Sequence, residues 1–160
     1  MPDYRRAALR DAELLAELRC EMLFGGEGPE TPERNQMTEL TKHFFEQMLS
    51  NGTTAAFLAE EEGIPVGTGA INYFLLPPND WCPSGITAYV GNMFVRPEFR
   101  RRGIASALLK MLLEDAKARG CERVILNPTA EGMPLYRKFG FEPWSDALAL
   151  YPKGKGGQIG

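Results

Sequence analysis

The chain has 160 residues, with 18 Lys and Arg against 21 Asp and Glu, a formal net charge of −3, and 44% hydrophobic residues. That length and balance suit one compact domain able to bury most of its core. They exclude bulk nucleic-acid binding, and no apolar run approaches the roughly 20 residues of a membrane span.

In chain order, 4–8 is a short strand candidate. Asp11 then opens a helix whose Leu14, Leu15, Leu18 and Met22 recur at helical spacing. Gly25, Gly26 and Gly28 end it. Thr31-Pro32-Glu33 is a second helix start, with proline in the first turn. Leu40, Phe44, Phe45 and Met48 continue that helix, and Asn51-Gly52 stops it. Residues 53–60 and 66–76 read as two strands around a Glu62-Gly63 turn. A Pro-rich loop covers 77–85. Residues 86–95 form a strand with little polar alternation, as expected of one buried on both faces, and Pro97 marks its end. The strongest helix is 103–119, with Ile104, Leu108, Met111, Leu112 and Ala116 on one stripe. A strand at 123–127, a short helix at 134–139 and a last strand at 141–150 complete the chain. This order predicts a mixed sheet with helices on both faces, in the α/β or α+β class. It predicts one domain over 1–152 and a flexible tail over 153–160.

The cysteines, Cys20, Cys82 and Cys121, are odd in number and lack metal-ligand spacing. They read as reduced thiols of a cytoplasmic protein, and no N-terminal stretch has the apolar core of a signal peptide. No metal and no membrane partner are expected.

The segment V-G-N-M-F-V-R-P-E-F-R-R-R-G-I-A-S at 90–106 places Arg100, Arg101 and Arg102 at the start of a helix. A helix N-terminus already carries about half a positive charge, so each arginine there costs about 0.3–1 kcal/mol when no anion is bound. A multiply charged anion reverses that sign. The free N–H groups of the first turn converge on one point, and Gly103 and the small Ala105 let a ligand approach. The expected occupant of 101–106 is a phosphate or pyrophosphate, with a solvated basic turn as the alternative. No Walker loop and no full G-x-G-x-x-G occurs. Setting aside Arg96, Arg100, Arg101 and Arg102 leaves 14 basic against 21 acidic residues, a balance of −7. One basic patch on an acidic chain favours a small anionic ligand there, and a cationic partner elsewhere.

V-R-P-E-F-R-R-R-G-I-A at 95–105 resembles the acetyl-CoA signature of the GNAT superfamily of N-acetyltransferases. Its [RQ]-x-x-G-x-[GA] core is met by Arg100, Gly103 and Ala105, and its preceding V-x-P by Val95 and Pro97. P-L-Y-R-K-F-G-F at 134–141 is similar to the superfamily's L-Y-x-x-x-G-F. The Arg6-Ala7…Asp11…Leu14…Leu18-Arg19 pattern resembles the usual first strand and helix, so the likeness spans about 3–150. It implies a mixed, mostly antiparallel sheet of six to seven strands with about four helices. It also implies acetyl transfer from acetyl-CoA to a primary amine of a small molecule or peptide. The strand ending at Val95 would splay from the 123–127 strand, and the cofactor's pantetheine arm would pair with the backbone of Met93, Phe94 and Val95. Arg100, Arg101, Arg102, Gly103, Ile104, Ala105 and Ser106 would hold the phosphates, and Tyr136 would give a proton to the departing sulfur. Either Asn127 or Thr129 would reach the cofactor.

Departures from the superfamily pattern matter too. Many relatives carry a carboxylate base on a splayed strand, and neither 86–95 nor 123–127 contains one. Asp80, Glu98 and Glu131, or water alone, remain as bases, and Asn92 could orient a water. A noncatalytic acyl-CoA sensor or interaction module is the alternative reading. Homodimer formation is common in such enzymes and has no sequence signal here. His43, beside Phe44 and Phe45, reads as structural. Trp81 reads equally as pocket wall or packing, and Cys82 has no base partner.

Overall fold

The computed structural model describes residues 1–26 and 28–155. The chain divides into two compact units, Met1–Asn127 and Pro128–Gly160. In the first unit, β1 (Asp3–Arg6) leads through one helical turn to α1 (Ala12–Phe24) and α2 (Pro32–Ser50). Then follow β2 (Thr54–Glu61), β3 (Ile64–Leu75), β4 (Ile86–Val95), α3 (Ile104–Ala118) and β5 (Arg123–Ile125). Among the described residues the sheet has five strands in the order β1-β2-β3-β4-β5. The first three pairings are antiparallel and β4–β5 is parallel.

Local chemistry sets the helix ends. The Thr31 hydroxyl accepts from the Arg34 N–H at 3.1 Å, with Pro32 in the first turn. Asp11 stands at the N-cap of α1 but makes no cap bond. Its carboxylate instead accepts from the Ala8 N–H and from both guanidinium arms of Arg5. The cap therefore fastens β1 to the start of α1.

The sheet is covered on both faces. Leu15 and Leu18 of α1, Phe45 of α2, Leu58 of β2, and Ala70 and Phe94 of β3 and β4 form one cluster. On the other face α3 buries Ile104, Leu108, Leu109, Leu112 and Ala116. It lies close because β3 carries Gly67 and Gly69. A Cβ on Gly67 would stand 3.2 Å from Ile104 Cγ2, and one on Gly69 would stand 2.6 Å from Met93 Sδ and 3.1 Å from Leu112 Cδ1.

In β4 the register against β3 shifts between Thr68↔Phe94 and Ala70↔Gly91. Asn92 takes φ +58 at that point, a left-handed conformation that asparagine tolerates better than most residues. The extra residue is a β-bulge. It brings Gly91 and Asn92 to the same side, that of α1 and α2.

The second unit holds α4 (Met133–Lys138). Thr129 Oγ1 accepts from the Gly132 N–H at 3.1 Å, and Tyr136 packs edge-on against Phe141 with ring centroids 5.8 Å apart. The strand expected at 141–150 is absent, so the sheet has five strands and not six to seven. Residues 142–150 are exposed, with Leu148 99% and Leu150 86% accessible, and Pro143 lacks an N–H. Composition can make a segment competent for a strand, but only a hydrogen-bonded neighbour makes it one. Of the tail expected over 153–160, residues 156–160 lie outside the described residues.

Candidate active site

Two features of the first unit meet on β4. The first is an open strand edge that runs into an anion cradle. β5 pairs with β4 only at Thr87↔Arg123, Ala88↔Val124 and Tyr89↔Ile125, so among the described residues β4 runs on to Val95 without a partner on that side. Met93, Phe94 and Val95 lie on this unpaired stretch. Met93 directs its side chain toward Gly69 and α3, while Phe94 joins the core on the opposite face. The Val95 carbonyl accepts from Arg100 Nε at 2.9 Å.

α3 begins just beyond. Its ladder opens with the Ala107 N–H donating to the Gly103 carbonyl at 3.0 Å. The N–H groups of Ile104, Ala105 and Ser106 precede that first bond. No acidic residue stands in the first turn. Arg101 at φ +63 and Gly103 at φ +81 bracket Arg102. Left-handed residues in such alternation curl the backbone so that successive N–H groups face one concave side, an anion-binding nest. Nothing lies within 4 Å of a Cβ built on Gly103, so the requirement for glycine is the positive φ and not space.

The four arginines of the patch part company. Arg96 is taken by Glu21 of α1, through bonds of 3.0 and 2.6 Å, and by the Pro65 carbonyl. It is a structural pair, not part of the cradle. Arg102 leans on the Phe99 ring, 5.1 Å from its centroid, and lies 3.6 Å from Glu61. Arg100 is anchored through Nε alone, so its two Nη groups remain for a ligand, and Arg101 is exposed.

The second feature is a cavity of about 260 Å³ between the sheet and helices α1 and α2. Arg19, Thr41, Asn72, Tyr89 and Asn92 supply its polar lining, and Phe44 and Phe45 its aromatic wall. The cross-strand pairs Asn72↔Tyr89 and Ala70↔Gly91 put these positions of β3 and β4 on one face. Arg19 Nη1 meets Asn92 Oδ1 at 3.5 Å, and among the described residues the buried Asn92 Nδ2 has no hydrogen-bond partner. Asn127, just after β5, donates Nδ2 to the Tyr89 hydroxyl at 3.0 Å. Thr129 caps a turn in the second unit.

The candidate bases Asp80 and Glu98 are exposed and do not line this cavity, whose lining contains no Asp or Glu. Glu131 is exposed in the second unit, where Tyr136 is half-buried. Among the described residues no group of His, Cys, Asp and Glu could hold a metal ion, and no helix is long and apolar enough to cross a membrane.

Sequence reasoning missed the cavity. Phe44 and Phe45 read as core because an apolar helical stripe looks the same whether it faces packing or a hollow. Asn72 and Asn92 did leave a signal, as carboxamides within strands otherwise rich in apolar residues.

Comparison with known proteins fits this geometry. Residues 14–141 match the family model described as "Acetyltransferase (GNAT) family". A glucosamine 6-phosphate N-acetyltransferase of Trypanosoma brucei brucei is 27% identical over 97 residues, 61% of this chain and 64% of that relative. A second such relative, from Oryza sativa subsp. japonica, is 28% identical over 67% of this chain and 65% of its own length, so the chain spans just under two thirds of both. Among solved structures, a "predicted acetyltransferase with acetyl-CoA" from Clostridium acetobutylicum superposes with a TM-score of 0.81 at 30% identity, covering 94% of this chain and 96% of that one. With four fifths of its length matched and the cradle in place, the chain belongs to the GNAT family of acetyltransferases.

Proposed function

We propose that the protein transfers an acetyl group from acetyl-CoA to an amine. The observation that carries this reading is the free β4 edge running directly into the acid-free start of α3. Here an extended arm finds unpaired backbone, and its terminal phosphates find converging N–H groups and arginine. The residues fit the group: positive φ at Arg101 and Gly103 shapes the nest, and no carboxylate stands in the first turn to repel an anion.

Bound acetyl-CoA supplies an acetyl thioester, on which the amine nitrogen gains its bond to the acetyl carbon as the carbon–sulfur bond breaks, the amine giving up a proton and the sulfur taking one. The N–H groups of Ile104, Ala105 and Ser106 bind the pyrophosphate, and Arg100 and Arg101 add charge beside it. The backbone at Met93–Val95 orients the arm and supports the carbonyl oxygen, where backbone donors are worth most. From its place in P-L-Y-R-K-F-G-F, Tyr136 is assigned the proton delivered to sulfur. A phenol suits that role because it keeps its proton well above neutral pH. The acceptor cavity offers no carboxylate base, so the amine enters already neutral and gives its proton to water.

Millimolar CoA should raise the melting temperature of the ligand-free protein by mass action. Absence of a shift in folded protein would remove the cofactor assignment. Tyr136→Phe keeps the ring against Phe141 and deletes only the hydroxyl. It should leave CoA affinity within a few-fold of the parent and lower kcat by about 10²–10⁴-fold. Unchanged kcat on an acceptor for which chemistry limits turnover would refute the role. A protein that binds CoA but acetylates no amine would be a sensor.

A further inference from the structure

We propose that the acceptor amine carries an anionic oxygen group, a carboxylate or a phosphate, which Arg19 and Asn92 hold in the cavity between α1, α2 and β4. The proposal rests on acetyl transfer being the reaction. It reverses the expectation of a cationic acceptor drawn from the overall charge.

Apart from the Thr41 hydroxyl, which can donate or accept, the polar lining is a set of donors. Arg19 is a fixed cation that approaches Asn92 Oδ1 at 3.5 Å. Among the described residues no carboxylate lies within ion-pair distance of it. The nearby acid on its own helix, Glu21, is consumed by two bonds from Arg96. Arg5, Arg6 and Arg119 likewise each have a carboxylate partner. Arg19 therefore differs from the arginines that serve the fold.

Asn92 is 8% exposed, and its Nδ2 is buried with nothing to donate to. An unmet buried donor costs on the order of 1–3 kcal/mol, so an oxygen ligand that meets it recovers that loss. Asn72 spends its Oδ1 on the Thr54 hydroxyl, which leaves its N–H₂ end to donate. The Tyr89 oxygen already accepts from Asn127, which leaves its O–H to donate. Four polar groups from α1, β3 and β4 thus present hydrogens, and no carboxylate answers them.

A polyamine in this hollow would place positive charge beside Arg19 without a counter-ion, the arrangement that specificity by repulsion exploits. An oxyanion would meet one cation and at least one unmet donor. Charge-assisted bonds of this kind are shorter and stronger than neutral ones. The volume of about 260 Å³ leaves room for a molecule of amino-acid or sugar-phosphate size. Phe44 and Phe45 offer its body an apolar wall.

The test uses matched acceptors that differ in the anionic group alone: glucosamine 6-phosphate against glucosamine, and L-phenylalanine against phenylalaninamide. Spermidine serves as the cationic control. Both kcat/KM with acetyl-CoA and calorimetric binding in the presence of CoA are measured. In at least one pair the anionic member should be favoured about 10- to 100-fold, the worth of a charge-assisted hydrogen bond. The responding pair tells phosphate from carboxylate. Arg19→Gln should bring that ratio near one, chiefly through KM. Asn92→Asp, which keeps a residue tolerant of φ +58, should shift preference toward the uncharged member. Circular dichroism confirms that each variant is folded. Preference for the uncharged member or for spermidine would overturn the proposal, as would a ratio unchanged in folded Arg19→Gln. If CoA binds but no amine is acetylated, the transfer reading fails by itself. Calorimetry then judges the cavity alone: preferential binding of an anionic member supports it, and equal binding overturns it.

Discussion

Gly103 and Asn92 occupy left-handed backbone for different ends. At Gly103 the left-handed residue starts α3, and a Cβ there would meet no atom within 4 Å. Gly103→Ala should therefore cost about 1–2 kcal/mol, the penalty of a Cβ at positive φ, and leave CoA affinity within a few-fold. Gly103→Glu adds a carboxylate where phosphate oxygens belong and should abolish measurable CoA binding. Calorimetry with CoA on both folded variants checks the pair, and equal losses would mean that bulk rather than charge decides. The glycine was legible in the sequence because R-R-R-G before an apolar stripe is a local pattern. The bulge at Asn92 was not. Its cause is the register of β3 against β4, and a lone asparagine in an apolar strand suits a bulge, a pocket or a water site equally well.

At the scale of elements, periodicity found what neighbours later enforced. Ile86–Val95 emerged with the expected bounds, and 103–119 became Ile104–Ala118 with Gly103 as its cap. The strand expected at 141–150 found no hydrogen-bonded partner among the described residues. The cavity escaped for a related reason, since Arg19 and Asn92 stand 73 residues apart and only the packing of α1 against β4 joins them. α3 illustrates how packing serves the site. Leu108 is fully buried and lies near both glycines of β3. Leu108→Ala should cost about 2–5 kcal/mol through lost transfer energy and a cavity. CoA affinity of the folded fraction should stay near that of the parent, because the cradle's N–H groups are untouched. Urea titration together with CoA binding separates the two effects, and a loss of binding as large as the loss of stability would show that the cradle depends on this contact.

For the whole molecule, the telling groups are two carboxylates that fasten β1 to the rest of the first unit. The Arg5 guanidinium holds the Asp11 carboxyl below its ordinary range, against the opposing pull of burial. For Asp115 in α3, burial is the largest single influence and pushes upward. It is outweighed by hydrogen bonds from Arg6 of β1 and the Tyr73 hydroxyl of β3, and by the charge of Arg119, so the net shift is again downward. A carboxylate with a depressed value in the fold binds fewer protons there than in the unfolded chain. Its stabilisation is therefore present above the unfolded value near 4 and disappears as pH falls through the lower folded value. Tyr73 has the opposite sign. Burial first, then the bond to Asp115, raises its phenol, so its contribution holds below about pH 10 and is lost as pH climbs through the raised value. The melting temperature should therefore be flat through neutrality, fall below about pH 4, and begin to fall again above about pH 10. Asp115→Asn should lower the neutral plateau, because Arg6 and Arg119 lose their shared partner, and should flatten the acid limb by removing one of the carboxylates that titrate there. It should also weaken the alkaline limb, since part of the upward shift of Tyr73 comes from Asp115. Thermal melts of parent and variant from pH 2 to 11 decide the matter, and an acid limb as steep in Asp115→Asn as in the parent would place the acid sensitivity elsewhere.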